Sequence, residues 1–205
     1  MIAALYVAKG GCYDPAVHPE LAGEIDFWPE SRDARLYAGP WPVVAHPPCA
    51  RWCRLAGLVE ARWGHKRGDD GGTFAAALTS VRQWGGVLEH PAYSDAWAAH
   101  DLPPPPTGGG WARDMAGGWS CYVEQARYGH AAKKATWLYY VGTEPPPSLR
   151  WGHVPDTEVK ALVSWCGNHT RADEKRPRVG KGPAAATPLP FRSALLHLAR
   201  GSALR

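Results

Sequence analysis

Short apolar runs, each ended by glycine or proline, recur along the chain and predict buried strands. The first is IAALYV (Ile2–Val7) and the second is PVVAHPP (Pro42–Pro48). Between residues 71 and 86 apolar side chains recur at helical spacing, with glycines at both ends, which predicts a helix. GVLEHP (Gly86–Pro91) follows at once, and we expect a strand of three residues, a polar pair and a stop at proline. Strand, loop, helix and strand in this order predict a parallel α/β sheet.

The second half of the chain continues this pattern. SCYVEQARYGH (Ser120–His130) is predicted to be a strand that ends at a turn near Gly129, and ATWLYYVG (Ala135–Gly142) a strand rich in aromatic and β-branched residues. PFRSALLHLAR (Pro190–Arg200) is predicted to be an amphipathic helix. Its core-facing residues are expected to be Phe191, Leu195 and Leu198. The aperiodic stretch 102–119 is expected to be a loop excursion, and the charged segment 171–188 to be mobile.

The composition bounds the class of protein. With 205 residues, 45% of them hydrophobic and 20% charged, the chain is expected to form one domain, 1–205. A net charge of +4 favours an anionic partner only weakly. We find no membrane-length apolar run and no signal-peptide pattern, so we expect no membrane partner and a cytoplasmic location. The five cysteines are then expected to be free thiols: Cys12, Cys49, Cys53, Cys121 and Cys166.

Three polar features lie next to predicted strand ends, where open α/β sheets carry their sites. Cys49 follows two prolines, and at the start of a helix its pKa would be lowered. The alternative is a small buried cysteine that only packs. Glu89 follows an apolar strand, so it is either functional or paired within the structure. Lys133 and Lys134 precede the last strand, and a solvated basic turn is their plain alternative.

The ordered set VVAHPPC, GGVLEHP and QARYGHAAKKATWLY, over roughly 43–151, resembles a compact, phage-type DNA cytosine-5 methyltransferase. The resemblance implies a Rossmann-like, mostly parallel sheet with flanking helices. It also implies S-adenosylmethionine as cofactor and DNA as partner, with Cys49 as the nucleophile that adds to C6 of cytosine and Glu89 as the group at N3. The cofactor-binding residues it implies are Gly10, Gly11, Asp26 and Pro47. The nucleic-acid-binding residues are Arg51, Gln125, Arg127, Lys133 and Lys134.

The chain departs from that family in three respects. His90 stands where the family has asparagine after the glutamate. YVAKGGCYD replaces the family's Phe-x-Gly-x-Gly cofactor loop, so Gly10 and Gly11 are its only glycines. No stretch is long enough for a separate target-recognition domain, which leaves 102–119 and 148–188 as candidates for sequence readout.

Two other functions fit parts of the sequence. His18 and Glu20, followed by Cys49 and Cys53, resemble the zinc cytosine deaminase pattern, although the cysteines are separated by three residues rather than two. The poor cofactor motif also suits a catalytically inactive methyltransferase fold that binds DNA. These alternatives stay open on the sequence.

Overall fold

The computed structural model describes residues 1–53, 56–142, 144–163 and 176–202. The strands in these ranges are β1 (Ile2–Val7), β2 (Ile25–Pro29), β3 (Val43–Ala45), β4 (Gly86–Pro91), β5 (Trp111–Arg113), β6 (Trp119–Glu124), β7 (Ala135–Val141), β8 (Leu162–Val163) and β9 (Arg178–Val179). The α-helices are α1 (Ala56–Trp63), α2 (Thr73–Trp84), α3 (Asp95–Ala99), α4 (Lys181–Ala185) and α5 (Leu189–Gly201). Cys166 and the start of the segment predicted to be mobile, 171–175, lie outside the described residues.

Seven strands form one sheet in the order β2-β1-β3-β4-β7-β6-β5. The four strands β2, β1, β3 and β4 are parallel, whereas β7 is antiparallel to β4, β6 to β7 and β5 to β6. The predicted α/β class with flanking helices is therefore confirmed. The sheet is mixed rather than mostly parallel, because β5, β6 and β7 each pair antiparallel with their neighbours.

Each face of the sheet carries one helix layer. Because side chains alternate across a strand, residues such as Ala3, Leu5 and Leu88 face α2, whereas Ala4 and Val87 face α5. The buried side of α2 is Phe74, Ala77, Leu78 and Val81, and that of α5 includes Phe191, Leu195 and Leu198. The helices predicted from apolar spacing are confirmed, although Trp84 is only half-buried.

Two predicted strands have different ends in the structure. β4 continues through Glu89 and His90 to Pro91, because β7 pairs with it along its whole length. β6 ends at Glu124, and residues Gln125–Tyr128 form a 3-10 helix that closes at Gly129. Both differences come from tertiary pairing rather than from local propensity.

The predicted loop excursion 102–119 contains β5, which pairs with β6. Residues 176–188 contain β9 and α4. Across the described ranges, none of the helices combines the length and the apolar character that crossing a bilayer requires.

Candidate functional site

The candidate site lies at one edge of the sheet. The strands β1, β3, β4 and β6 run in the same direction, so their carboxyl ends share this edge, and the antiparallel β7 begins there. The residues that meet at it are Cys12 and Tyr13 after β1, His46 and Cys49 after β3, Glu89 in β4, Gln125 after β6, and Lys134 and Thr136 at the start of β7.

Glu89 is held by partners at both of its carboxylate oxygens. It is buried, and its two carboxylate oxygens have different partners: Oε2 lies 2.9 Å from His46 Nδ1, and Oε1 accepts a hydrogen bond of 3.1 Å from Gln125 Nε2. Burial alone would raise the pKa of Glu89, but the hydrogen bond and charge of His46, together with Lys134, lower that pKa to about 2. At neutral pH the carboxylate is therefore ionised.

His46 connects Glu89 to a buried tyrosine. Its Nε2 atom lies 3.2 Å from the hydroxyl of Tyr13, and the two rings are 5.2 Å apart. Burial raises the pKa of Tyr13 well above its usual value, so the hydroxyl keeps its proton. The result is a chain of three polar side chains, Tyr13, His46 and Glu89, which crosses from the β1 loop to β4.

Cys49 lies in a single turn rather than at the start of a helix. The backbone amides of Trp52 and Cys53 both donate to the Cys49 carbonyl at 3.0 Å, and α1 begins only at Ala56. Burial raises the pKa of the Cys49 thiol; Cys53 and Glu89 raise it further, and Lys134 opposes them. The prediction of a lowered pKa is therefore wrong, because no helix N-terminus points at the sulfur.

Lys134 belongs to this site and not to an outer surface. Its backbone has a φ of 43°, and its ammonium donates 2.8 Å hydrogen bonds to the carbonyls of Ala185 and Ala186 after α4. Burial lowers the pKa of Lys134, whereas Glu89, Cys12 and Cys49 favour its charged form. The ammonium therefore belongs to the same set of interacting charges as the thiol and the carboxylate.

Gln125, predicted to bind nucleic acid, is fully buried and presents no surface to DNA in this structure. Its Nε2 group donates both to Glu89 and, at 3.0 Å, to the Thr136 hydroxyl. Because the ionised carboxylate accepts only, this contact fixes the orientation of the amide. Gln125 Oε1 is buried without a hydrogen-bond partner among the described residues. Gln125 therefore positions Glu89 and leaves one acceptor unsatisfied.

The other predicted nucleic-acid-binding residues lie apart from this cluster. Arg127 donates to the carbonyls of Gly152 and His153 and holds that loop, and Lys133 forms a 2.7 Å ion pair with Asp156. Arg51 is half-exposed, and its guanidinium has no partner in the described part of the chain. Of the predicted set, Arg51 is thus the cation that an added phosphate could reach without breaking a contact.

The predicted cofactor residues do not form a matching site. Gly10 has a φ of 71°, but its amide donates to the Asp14 carboxylate at 2.8 Å, so the loop that contains Gly10 and Gly11 closes on itself. No α-helix follows β1, so this loop offers no helix N-terminus to a ligand. Pro47 is buried.

Asp26 lies at the wrong end of its strand for ribose binding. It is the second residue of β2 and pairs in register with Ala3, well before the carboxyl edge. Its carboxylate already accepts from Trp28 Nε1 at 2.8 Å and forms an ion pair of 2.6 Å with Arg32. The sequence spacing predicted a ribose-binding position for Asp26. The structure differs because β2 starts only at Ile25, so Asp26 lies near the beginning of the strand.

Tyr6 is a residue that the sequence analysis missed. It lies inside β1 with a φ of 58°, a rare value for a bulky residue, at an irregularity in the pairing with β2. Its hydroxyl is buried without a hydrogen-bond partner. Burial and the nearby Asp33 raise its pKa. Neither the φ nor the orphaned hydroxyl has a signal in the sequence.

The zinc pattern is not assembled. Within the described ranges, no three histidine, cysteine or acidic side chains converge as a metal site. His18 contacts Glu20 at 3.3 Å, and Glu20 also pairs with Arg192 near α5. Neither contact includes Cys49 or Cys53.

The fold and this edge together define an α/β protein with a thiol, an ionised carboxylate and a lysine gathered around the ends of its central strands. No protein-family model, curated protein or solved structure matches the chain.

Proposed function

We propose that the chain is an enzyme that modifies C5 of cytosine in DNA through a covalent adduct, as DNA cytosine-5 methyltransferases do. One observation carries the proposal: Cys49 and Glu89, 40 positions apart in the sequence, lie after β3 and in the adjacent strand β4, at the same edge of the sheet. The strand order supports it as well. β1 lies between β2 and β3, so the chain passes from β1 to β2 on one side and then crosses to β3 on the other. Ligands of open α/β sheets bind at such a switch point.

The chemistry assigns one role to each residue. The Cys49 thiol loses its proton to water, and the thiolate donates an electron pair to C6. The C5=C6 pair moves to C4–C5, and the C4=N3 pair moves onto N3, which takes a proton from Glu89. The product is an enamine with a nucleophilic C5. After C5 reacts with an electrophile, a base removes the C5 hydrogen, its bonding pair restores C5=C6, and sulfur leaves with the C6–S pair. Glu89 takes back the N3 proton.

Lys134 has a role in the first step. Because burial and Glu89 hold the thiol neutral, a cation beside the sulfur favours the thiolate that must form. Gln125 and His46 hold the two oxygens of Glu89 in place. The target base has to leave the duplex to reach this buried edge.

S-adenosylmethionine enters the proposal on the family resemblance alone. The residues expected to bind it do not fit, so we derive no step through the cofactor.

Hydrogen exchange at C5 tests the proposal without any cofactor. DNA that contains [5-³H]cytosine is expected to release tritium to water with the wild-type protein, because the enamine exchanges its C5 hydrogen. Cys49→Ala and Glu89→Gln should abolish or strongly slow the release, whereas Cys53→Ala, the matched cysteine one turn later, should retain it. Release that persists in Cys49→Ala, or is absent in the wild type, overturns the proposal. Nucleoside mass spectrometry of DNA from expressing cells then identifies the added group.

A catalytically inactive DNA-binding protein is the second candidate, and the mismatched cofactor loop favours it. Titration calorimetry separates the two. Binding of S-adenosylmethionine together with tritium release supports the enzyme, whereas DNA binding with neither supports the inactive protein.

A further inference from the structure

His46 contacts both the buried hydroxyl of Tyr13 and the carboxylate of Glu89. Its Nδ1 atom lies 2.9 Å from Glu89 Oε2 and its Nε2 atom 3.2 Å from the Tyr13 hydroxyl. Tyr13 and Glu89 are both buried, and His46 is mostly so. The ring therefore connects Tyr13, in the loop after β1, with Glu89 Oε2, while Gln125 binds the other oxygen, Oε1.

We propose that His46 is a positioning residue that supplies Glu89 with the proton destined for N3 of the pyrimidine. The inference rests on the proposed function and deepens it. Glu89 is ionised in the free protein, so it has no proton of its own to give. The ring N–H of His46, with Nδ1 2.9 Å from Oε2, can supply one.

The proton transfer balances as follows. The Nδ1–H bond of the imidazolium breaks, its electron pair stays on nitrogen, and the proton binds to Oε2. This oxygen has a second lone-pair site, so the new O–H can rotate away from the ring toward a bound base. When the Cys49 thiolate forms the C6–S bond, the Oε2–H bond breaks toward N3 and its pair returns to the carboxylate. Reversal of both steps restores the imidazolium when sulfur leaves.

Tyr13 suits both charge states of the ring. The ring gives up its Nδ1 proton and keeps Nε2–H, so the Tyr13 hydroxyl accepts from Nε2–H before and after the transfer. This hydrogen bond therefore persists through the step and holds the ring in place. A phenylalanine at this position would support the ring only by packing.

The pH dependence of this step reflects every charged group near His46. Those coupled to the Tyr13–His46–Glu89 chain are Cys12, Cys49, His90, Lys134 and Arg192. The Cys49 thiolate produces the rise in rate with increasing pH.

His46→Gln separates proton supply from simple positioning, because the amide keeps a donor toward Oε2 but gives up no proton. Tritium release from [5-³H]cytosine DNA is expected to slow by roughly 100-fold, and the shape of the pH profile should change. Tyr13→Phe should slow release less and keep the profile. His197→Gln, on the exposed side of α5, is the matched control and should behave like the wild type. A His46→Gln protein with the wild-type rate and profile overturns the inference.

A second measurement is independent of activity. The ring ¹⁵N chemical shifts of His46 in the full chain report its protonation and hydrogen bonding. They are expected to change in Glu89→Gln and Tyr13→Phe but not in His197→Gln. Unchanged shifts overturn the inference even if His46→Gln fails to fold. No tritium release by the wild type, with responsive shifts, would overturn the proposed function alone and leave the Tyr13–His46–Glu89 connection demonstrated.

Discussion

The pairing of Glu89 with His46 should contribute measurably to stability, with a pH dependence whose sign follows from the structure. The pKa of Glu89 falls from 4.5 to about 2 on folding, chiefly because His46 outweighs the opposing effect of burial. At roughly 1.4 kcal/mol per pKa unit, this corresponds to about 3 kcal/mol. Loss of one partner from a buried pair typically costs about 3–5 kcal/mol, which agrees in size.

A lowered folded-state pKa stabilises the protein above the unfolded value, and this stability disappears as the pH falls through the folded value. The coupling is therefore expected to be about 3 kcal/mol at pH 7, to fall by roughly 1 kcal/mol at pH 3.5, and to be nearly lost close to pH 2. A double-mutant cycle of Glu89→Gln and His46→Gln isolates this energy from the separate effects of each change.

Urea unfolding followed by tryptophan fluorescence measures each free energy of unfolding, and the eleven tryptophans provide the signal. The exposed pair of Glu24 and Arg200, at 2.6 Å, is the matched control, and its coupling should be about 0–1 kcal/mol. A Glu89–His46 coupling as small as that of the control, or one that does not change between pH 7 and pH 3.5, would refute the reasoning.

Three further outcomes follow from the geometry. Gly86→Ala should destabilise the fold by about 3 kcal/mol or more in thermal unfolding, because Gly86 has a φ of 116° and a Cβ would overlap the backbone of Val43; a loss under 1 kcal/mol would contradict this contact. Tyr6→Phe should stabilise the free protein by about 1 kcal/mol, since it removes a buried hydroxyl without a partner; a loss in urea unfolding would mean that the hydroxyl is satisfied. Alkylation of Cys49 at pH 7 should be slower than that of an unfolded thiol and slower still in Lys134→Met, by mass spectrometry of the labelled peptide; faster labelling would contradict the raised pKa.

The sequence predicted several helices and strands well, because each follows from a local pattern. β1, α2, β7 and α5 follow from apolar spacing and from the glycines and prolines that end it. The antiparallel direction of β7 could not be predicted, since apolar runs indicate neither the neighbour of a strand nor its direction. The extension of β4 through Glu89 depends on that same pairing.

The candidate site was predicted only in part for the same reason. Cys49, Glu89 and Lys134 were selected because they stand near strand ends, and they do lie together. Gln125 was assigned to DNA because position in a motif does not reveal burial. Tyr13 carried no sequence signal, because its role depends on a loop that brings it back to His46.

On the proposed function, the charge states at the edge mean that substrate binding would itself drive the first proton transfer. In the free protein the thiol of Cys49 is neutral, because burial, Cys53 and Glu89 raise its pKa, while the carboxylate of Glu89 is ionised. Addition to cytosine would require the reverse, a thiolate and a protonated group at N3. A base in the site would displace water, strengthen the interaction of Lys134 with the sulfur, and offer N3 as an acceptor beside Oε2. Because the thiolate would be consumed as N3 takes the proton, a site arranged in this way would hold its nucleophile unreactive until a pyrimidine is present.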